Sequence, residues 1–188
     1  MIQASEGRTG YVTQLMIRSV NATELAGVLK DLVHVFRDTV NGGSPLGFMP
    51  PITMETSRDY WLSIQPQIMT GARILLVASY ESTVVGSAQL ELSQRTNSLH
   101  RADVQRVFVA RSLRGRGVGS ALMREVEAVA RSHGRTLLTL NTRHKEPAHA
   151  WYKTLGYADV GVIPGWTVGA NGERYDHVSM FKELRGED

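Results

Sequence analysis

The residues best equipped for chemistry lie in one stretch, Val107-Phe-Val-Ala-Arg-Ser-Leu-Arg-Gly-Arg-Gly-Val-Gly-Ser-Ala-Leu-Met123. A β-branched run stops, Arg114-Gly115-Arg116-Gly117-Val118-Gly119 follows, and an amphipathic pattern begins at once. That order aims backbone N–H groups and two guanidinium groups at the start of a helix. A helix N-terminus carries unsatisfied donors and roughly +0.5 elementary charge, so it favours an anion. Glycines at 115, 117 and 119 leave a phosphate room to approach the backbone. The expected guest is a pyrophosphate. A Walker A loop would need a Lys, which is missing, and a dinucleotide loop would read Gly-x-Gly-x-x-Gly, whereas this one is spaced Gly-x-Gly-x-Gly.

Arg114-x-x-Gly117-x-Gly119, after a strand and before a helix, resembles motif A of the GNAT family of N-acetyltransferases. His100 to Val109 resembles that family's central strand, and Ala148-x-x-x-Tyr152 with Leu155-Gly156-Tyr157 resembles its later motif. More narrowly, Thr39-Val-Asn-Gly-Gly, Gly47-Phe-Met49, Ser87-Ala-Gln-Leu90, Arg101-Ala-Asp-Val-Gln105, Pro164-Gly165-Trp166 and Phe181-Lys182 are similar to the tabtoxin-resistance subgroup. That subgroup acetylates the amino group of a β-lactam amino acid toxin. The resemblance implies an α/β chain with the GNAT (acyl-CoA N-acyltransferase) fold. That fold is a mixed central β-sheet flanked by helices, with splayed fourth and fifth strands and the pantetheine arm in the gap. It also implies acetyl-CoA as co-substrate, held by Val107, Phe108, Val109, Arg114, Gly115, Arg116, Gly117, Val118, Gly119, Ser120 and Ala148.

Acyl transfer from a thioester to an amine requires that the amine lose a proton, that the oxyanion find a donor and that the thiolate be protonated. Tyr152 matches the family's tyrosine, and a phenol of pKa near 10 can reprotonate a leaving thiolate. Asp103 sits between Ala102 and Val104, an aspartate in a stretch otherwise suited to burial, and is the candidate base or ammonium anchor. Strand alternation predicts that it shares a face with Gln105, Val107 and Val109. The subgroup carries an acidic residue where this chain has Asn141; an amide orients a substrate or a water but is no base. The backbone N–H near Phe108 or Val109 is the oxyanion donor that the resemblance implies. The histidines at 34, 100, 133, 144, 149 and 177 include no metal-binding spacing, so no metal is expected. Asn171 to His177 reads either as a hairpin lip over the acceptor pocket or as a solvated turn. Likewise Asn41-Gly-Gly-Ser-Pro-Leu-Gly-Phe-Met-Pro-Pro51 reads either as an acceptor-side loop or as a loop tucked on the core.

Several elements must position these groups. A first strand is predicted over Tyr11 to Arg18. Asn21-Ala-Thr-Glu24 reads as a capping box opening a helix with Leu25, Val28, Leu29, Leu32 and Phe36 on one face. A weaker helix is predicted from Glu55 to about Met69. Ile74 to Ala78 and Val84 to Leu92 form a hairpin around Glu81-Ser-Thr83, and Arg101 to Val109 is the fourth strand. Val118, Leu122, Val126 and Val129 stripe the helix that ends at Gly134. A fifth strand over Thr136 to Leu140, a short helix from Pro147 to Leu155, and strands near 158–163 and 177–181 complete the order.

The chain has 188 residues, 42% hydrophobic and 21% charged, which suits one domain over 1–188 with an ordinary core. It has no cysteine, hence no disulfide, thiolate site or cysteine nucleophile. No apolar run reaches the roughly 18–20 residues of a membrane span, and Met1-Ile-Gln-Ala-Ser-Glu lacks signal-peptide order, so a cytoplasmic protein without membrane partners is expected. A net charge of +3, with arginines gathered about the glycine loop, is better explained by an anion pocket than by nucleic acid. The expected function is acetyl-CoA-dependent N-acetylation of a small primary amine by direct transfer, since no Cys or activated Ser supplies a covalent relay. The rivals are a protein N-terminal or lysine acetyltransferase, and a non-catalytic acyl-CoA-binding regulator. A homodimer is left open.

Overall fold

The computed structural model describes residues 15–44 and 46–184. Among them, seven strands make one mixed sheet in the order β1-β2-β3-β4-β5-β7-β6. The strands are β1 Leu15–Val20, β2 Arg73–Tyr80, β3 Thr83–Leu92, β4 Arg101–Val109, β5 Leu137–Arg143, β6 Ala158–Val168 and β7 Arg174–Glu183. The helices are α1 Leu25–Asn41, α2 Met54–Ser63, α3 Gln65–Met69, α4 Val118–Ser132 and α5 Pro147–Thr154. None of these is long and apolar enough to cross a membrane.

Local chemistry explains most boundaries. The Asn21 side chain accepts from the Glu24 N–H (3.0 Å) while the Glu24 carboxylate accepts from the Asn21 N–H (3.0 Å), the reciprocal capping box. Leu25, Val28, Leu32 and Phe36 of α1 are buried as expected, and Leu29 is half-buried. The single helix expected over 55–69 is two: α2 stops at Ser63, and α3 begins at Gln65 with Pro66, which lacks an N–H, in its first turn. Thr53 caps α2 by accepting from the Thr56 N–H at 3.0 Å. Glu81 and Ser82 both take positive φ (47° and 66°), the tight reversal that right-twisted hairpins favour. The described part of the first strand begins at Leu15, so Tyr11 to Gln14 of that expectation lie outside the described residues. Strands β5, β6 and β7 all run longer than their apolar cores alone indicate.

The sheet separates two cores. On one face, α1 to α3 bury Leu25, Leu32, Phe36, Trp61, Leu75, Val77 and Phe108. On the other, α4 and α5 bury Leu76, Ala88, Leu90, Ala102, Val104, Val109, Leu122, Val126, Leu138, Tyr152 and Met180. Strands β1 to β4 are antiparallel neighbours; β4 and β5 are parallel, connected through α4. The β4–β5 ladder is short, pairing only Arg101, Ala102 and Asp103 with Leu137, Leu138 and Thr139. Beyond Asp103 the two strands part, and β5 pairs instead along its full length with β7.

Candidate active site

The glycine loop emerges where β4 ends, after a turn of 3₁₀ helix at Arg111–Leu113. Gly117 is the N-cap of α4 with φ 82°, a left-handed conformation that costs an L side chain roughly 1–2 kcal/mol. The first bond of α4 runs from the Ala121 N–H to the Gly117 carbonyl (2.9 Å). The N–H groups of Val118, Gly119 and Ser120 therefore precede the hydrogen-bonded helix, as an anion site requires. A Cβ added at Gly115 or Gly117 would meet nothing within 4 Å, so both face open space. Gly119 has a second use: its absent Cβ would sit 3.2 Å from the Trp151 ring, so this glycine lets α5 approach α4 while its N–H stays among the unpaired donors at the helix start. Trp151 also donates from Nε1 to the Ser120 hydroxyl at 3.3 Å, which ties Ser120 to the same contact.

Both guanidinium groups of the loop are exposed. Arg116 projects from it, whereas Arg114 donates to the Val109 carbonyl (3.3 Å) and to the Ser44 hydroxyl (3.2 Å). Val118 is buried, so its side chain belongs to the core and only its N–H faces the loop. Phe108 and Val109 are likewise buried on opposite faces, leaving their backbone at the gap between β4 and β5. Val107 packs on the core beneath α4.

That opposition corrects the expected face of Asp103. Asp103 pairs with Glu91 and Gln105 with Gln89, but Phe108 then pairs with Ser87, and the register slips between Ser87 and Gln89. The extra residue is a β-bulge, and Arg106 carries it with φ 50°. Past the bulge, alternation is reversed. Asp103 shares its face with Gln105 and Phe108, while Val107 and Val109 turn to the other core.

A polar network covers this face. Arg73 donates to Gln89 (2.7 Å) and to Glu91 (2.6 Å), Tyr60 donates to Gln89 (3.0 Å), and Gln105 donates to Glu91 (2.8 Å). Asp103 accepts a hydrogen bond from the Thr139 hydroxyl and lies 3.7 Å from the Arg101 guanidinium. Its directly opposed neighbour Glu91 is a second carboxylate, which sequence reading missed because the pairing of two strands brings them together. Asn141 is exposed on β5, and its carbonyl oxygen accepts from the Ser179 hydroxyl at 2.6 Å.

Tyr152 stands on the other side of the gap. Its ring is buried between Trp151 (4.7 Å between centroids) and Tyr157 (5.7 Å), and burial pushes its phenol well above the ordinary range. It therefore holds its proton throughout the physiological pH range. Ala148 is exposed in the first turn of α5. The entry to α5 is fixed by buried His149, whose Nδ1 accepts from the Lys145 N–H (3.3 Å) and whose Nε2 donates to Asp159 (2.8 Å). Lys153 also pairs with Asp159 at 2.9 Å, and this hydrogen bond, with that of His149, holds the Asp159 carboxyl below its usual range. Lys145 has φ 61°, which turns the chain into this anchor.

The loop between α1 and α2 is closed at its base. The Asn41 side chain donates to the Ile52 carbonyl (3.1 Å) and accepts from the Ile52 N–H (2.8 Å). Leu46 and Phe48 pack on the core beneath α1, while Met49 is exposed. Phe48 joins a cluster with Phe36 and Tyr60, and the Arg106 guanidinium lies over Tyr60 (5.4 Å) and Phe48 (5.9 Å). The loop is thus both tucked on the core and adjacent to the bulge. Of the segment 171–177, residues from Arg174 onward are strand β7. His177 there accepts or donates to Thr167 (3.2 Å), and burial, followed by the charge of Arg143, lowers its pKa. No group of three or more His, Asp or Glu side chains converges as a metal site among the described residues.

Residues 46–157 match the family model described as the Acetyltransferase (GNAT) family. An N-acetyltransferase encoded in the hisH-hisA intergenic region of Azospirillum brasilense is 30% identical over 149 residues, 75% of this chain and 86% of the relative. A Bacillus subtilis (strain 168) protein, provisionally named a phosphinothricin acetyltransferase, is 27% identical over 158 residues, 83% of this chain and 93% of the relative. In fold, the chain is similar to an acetyltransferase of Salmonella typhimurium, provisionally so named and solved with its cofactor acetyl-CoA. The TM-score is 0.70 at 16% identity, covering 92% of this chain and 95% of that one.

Proposed function

Because the chain belongs to the Acetyltransferase (GNAT) family, we propose that it transfers the acetyl group of acetyl-CoA to the primary amine of a small amino acid or amino-acid-like toxin, as in the tabtoxin-resistance subgroup. The observation that carries this reading is the parting of β4 and β5 after Asp103, beside a helix N-terminus with open glycines. The gap suits a narrow arm and the loop suits its pyrophosphate. A thioester at the end of that arm would meet the amine on the face bearing Asp103.

In this reading the new C–N bond forms as the thioester C–S bond breaks. The neutral amine gives up one proton, through Asp103 directly or across a water, and the thiolate takes one from the Tyr152 hydroxyl. The proton released at Asp103 returns through solvent to restore the phenol, so that the turnover is proton-neutral. Arg101 and Thr139 orient Asp103, and Asn141, already held by Ser179, orients the acceptor. Backbone N–H groups near Phe108 and Val109 would stabilise the oxyanion, an effect worth a few kcal/mol in such sites. Loop 114–120 and Ala148 would hold the coenzyme, with Gly119 and Ser120 acting through the α4–α5 contact as well.

A screen of amine classes with acetyl-CoA, following thiol release, tests the reading. Turnover with free amino acids supports it. Turnover confined to protein lysines or peptide N-termini would favour a protein acetyltransferase, and binding without turnover a regulator. The same reading includes a homodimer. Strand β6 is a sheet edge exposing Val160, Val162, Ile163, Trp166 and Val168, more apolar surface than an edge strand tolerates alone.

A further inference from the structure

Two guanidinium groups on the face of Asp103 have no carboxylate partner among the described residues. Arg73 and Arg101 on the same sheet face each have a carboxylate, Glu91 and Asp103. Arg106 and Arg143 do not: among the described residues neither forms an ion pair or a side-chain hydrogen bond, and the Nε of each is buried without an acceptor. Both are nonetheless held in place by aromatic faces. Arg106 lies over Tyr60 and Phe48, and Arg143 stacks on Tyr175 at 3.8 Å. Such stacking fixes a guanidinium's plane while leaving its N–H fork free for an anion.

Their placement puts them on the two strands that border one gap. Arg106 belongs to β4 and Arg143 to β5, the two strands that part after Asp103. The bulge brings Arg106 to the face of Asp103, and Arg143 follows Thr139 and Asn141 at strand spacing on that same face. The positive φ of Arg106 is a conformation that an arginine rarely adopts, and the neighbouring loop is shaped around it. Gly47 has φ 78°, which favours glycine, and a Cβ there would lie 2.8 Å from the Arg106 guanidinium, which would have to move aside.

Resting on the acetyltransferase reading above, we propose that Arg106 and Arg143 form the acid-binding walls of the acceptor pocket. They select amines that carry a carboxylate or another acid group and reject uncharged or polycationic amines. The acid group is gripped by one or both guanidiniums while the amine faces Asp103.

Matched pairs of acceptors test this: α-amino acids against their α-carboxamides, with spermidine and an aminoglycoside as polycations. The acid of each pair should have the higher kcat/KM, by roughly tenfold or more. Arg143→Gln and Arg106→Asn should remove that preference by raising KM for the acids about tenfold or more relative to KM for the amides. Asn tolerates the positive φ at 106, so the bulge is retained. Equal use of acids and amides by the parent, or preference surviving in both variants, would overturn the proposal. Weakened acetyl-CoA affinity in the variants would also overturn it, by assigning the arginines to the coenzyme. A second readout needs no turnover: N-acetyl amino acids against N-acetyl amino amides, titrated by calorimetry into the protein with coenzyme A. If no amine is acetylated yet the parent binds the N-acetyl acids more tightly and the variants do not, the acid pocket stands and the reaction fails. If the N-acetyl acids and amides bind alike, the acid pocket fails whatever the reaction.

Discussion

Replacing Tyr152 by Phe isolates one proton. The ring is buried, and packs on Trp151 and Tyr157, contacts that Phe preserves. No hydrogen bond from another described side chain terminates on its hydroxyl, so the change orphans no partner, and the melting temperature should stay close to the parent's. Chemistry should suffer far more. Loss of a general acid lowers kcat by about 10²-fold, or roughly 2.7 kcal/mol of barrier, with the KM for acetyl-CoA almost unchanged. The pH profile adds a second constraint. Because burial raises the Tyr152 phenol, the acid form persists beyond pH 10, so the parent should show no alkaline fall from this group below about pH 10. Steady-state kinetics of both proteins between neutral pH and pH 10, read beside their melting curves, supply the numbers. A variant that turns over like the parent, or one that loses rate only through a lower melting temperature, refutes the acid role.

Four other outcomes follow from the same geometry. Gly117→Ala and Gly117→Asp share the strain of a positive φ, so the excess loss of acetyl-CoA affinity in the Asp variant, by calorimetry, measures the anion site; equal losses would remove the loop from it. Asp103→Asn keeps an oxygen for Thr139 but no base, so the rate should fall at neutral pH and partly recover as the amine deprotonates; an unchanged kcat with raised KM would make Asp103 an anchor only. Tyr157 is raised by burial first and by the nearby Glu127 charge second, so its ionisation opposes folding. Stability should be full below pH 10 and fall as pH rises beyond it, by up to about 1.4 kcal/mol per pH unit, a slope that Tyr157→Phe should lessen in urea melts. Val162→Lys on the β6 edge should shift a dimer to monomer in light scattering, and a parent that is monomeric at all concentrations would contradict the edge contact.

Much of the fold was legible because local chemistry and burial agree along the chain. The capping box at Asn21 and Glu24, the stripe of α4, Pro147 at the start of α5 and the bounds of β4 all follow from residue type and spacing. The strand, loop and helix order around the glycines was legible for the same reason. The packing use of Gly119 was not legible because its neighbour Trp151 arrives from 32 residues along the chain, a contact no local pattern records. The face of Asp103 was misread because period-two alternation was carried through Arg106. The signal was present: apolar residues occupy 102 and 104 but then 107 and 109, with two polar residues between, and that change of parity marks a bulge. Glu91 and Arg143 were invisible as site residues, since strand pairing and the stacking on Tyr175 exist only in three dimensions. The helix predicted over 55–69 is split for a plainer reason, the missing N–H of Pro66.

The central claim is direct transfer from acetyl-CoA to a small amine that carries an acid group. Acetyl-CoA bearing an isotopic label in its acetyl group, incubated with the protein and a panel of amino acids, tests it in one mass-spectrometric measurement. The account predicts that all transferred label resides in one small amine, one acetyl group for each thiol released, with none on the protein. Label retained on the protein's own side chains, or thiol release without an acetylated amine, would contradict it.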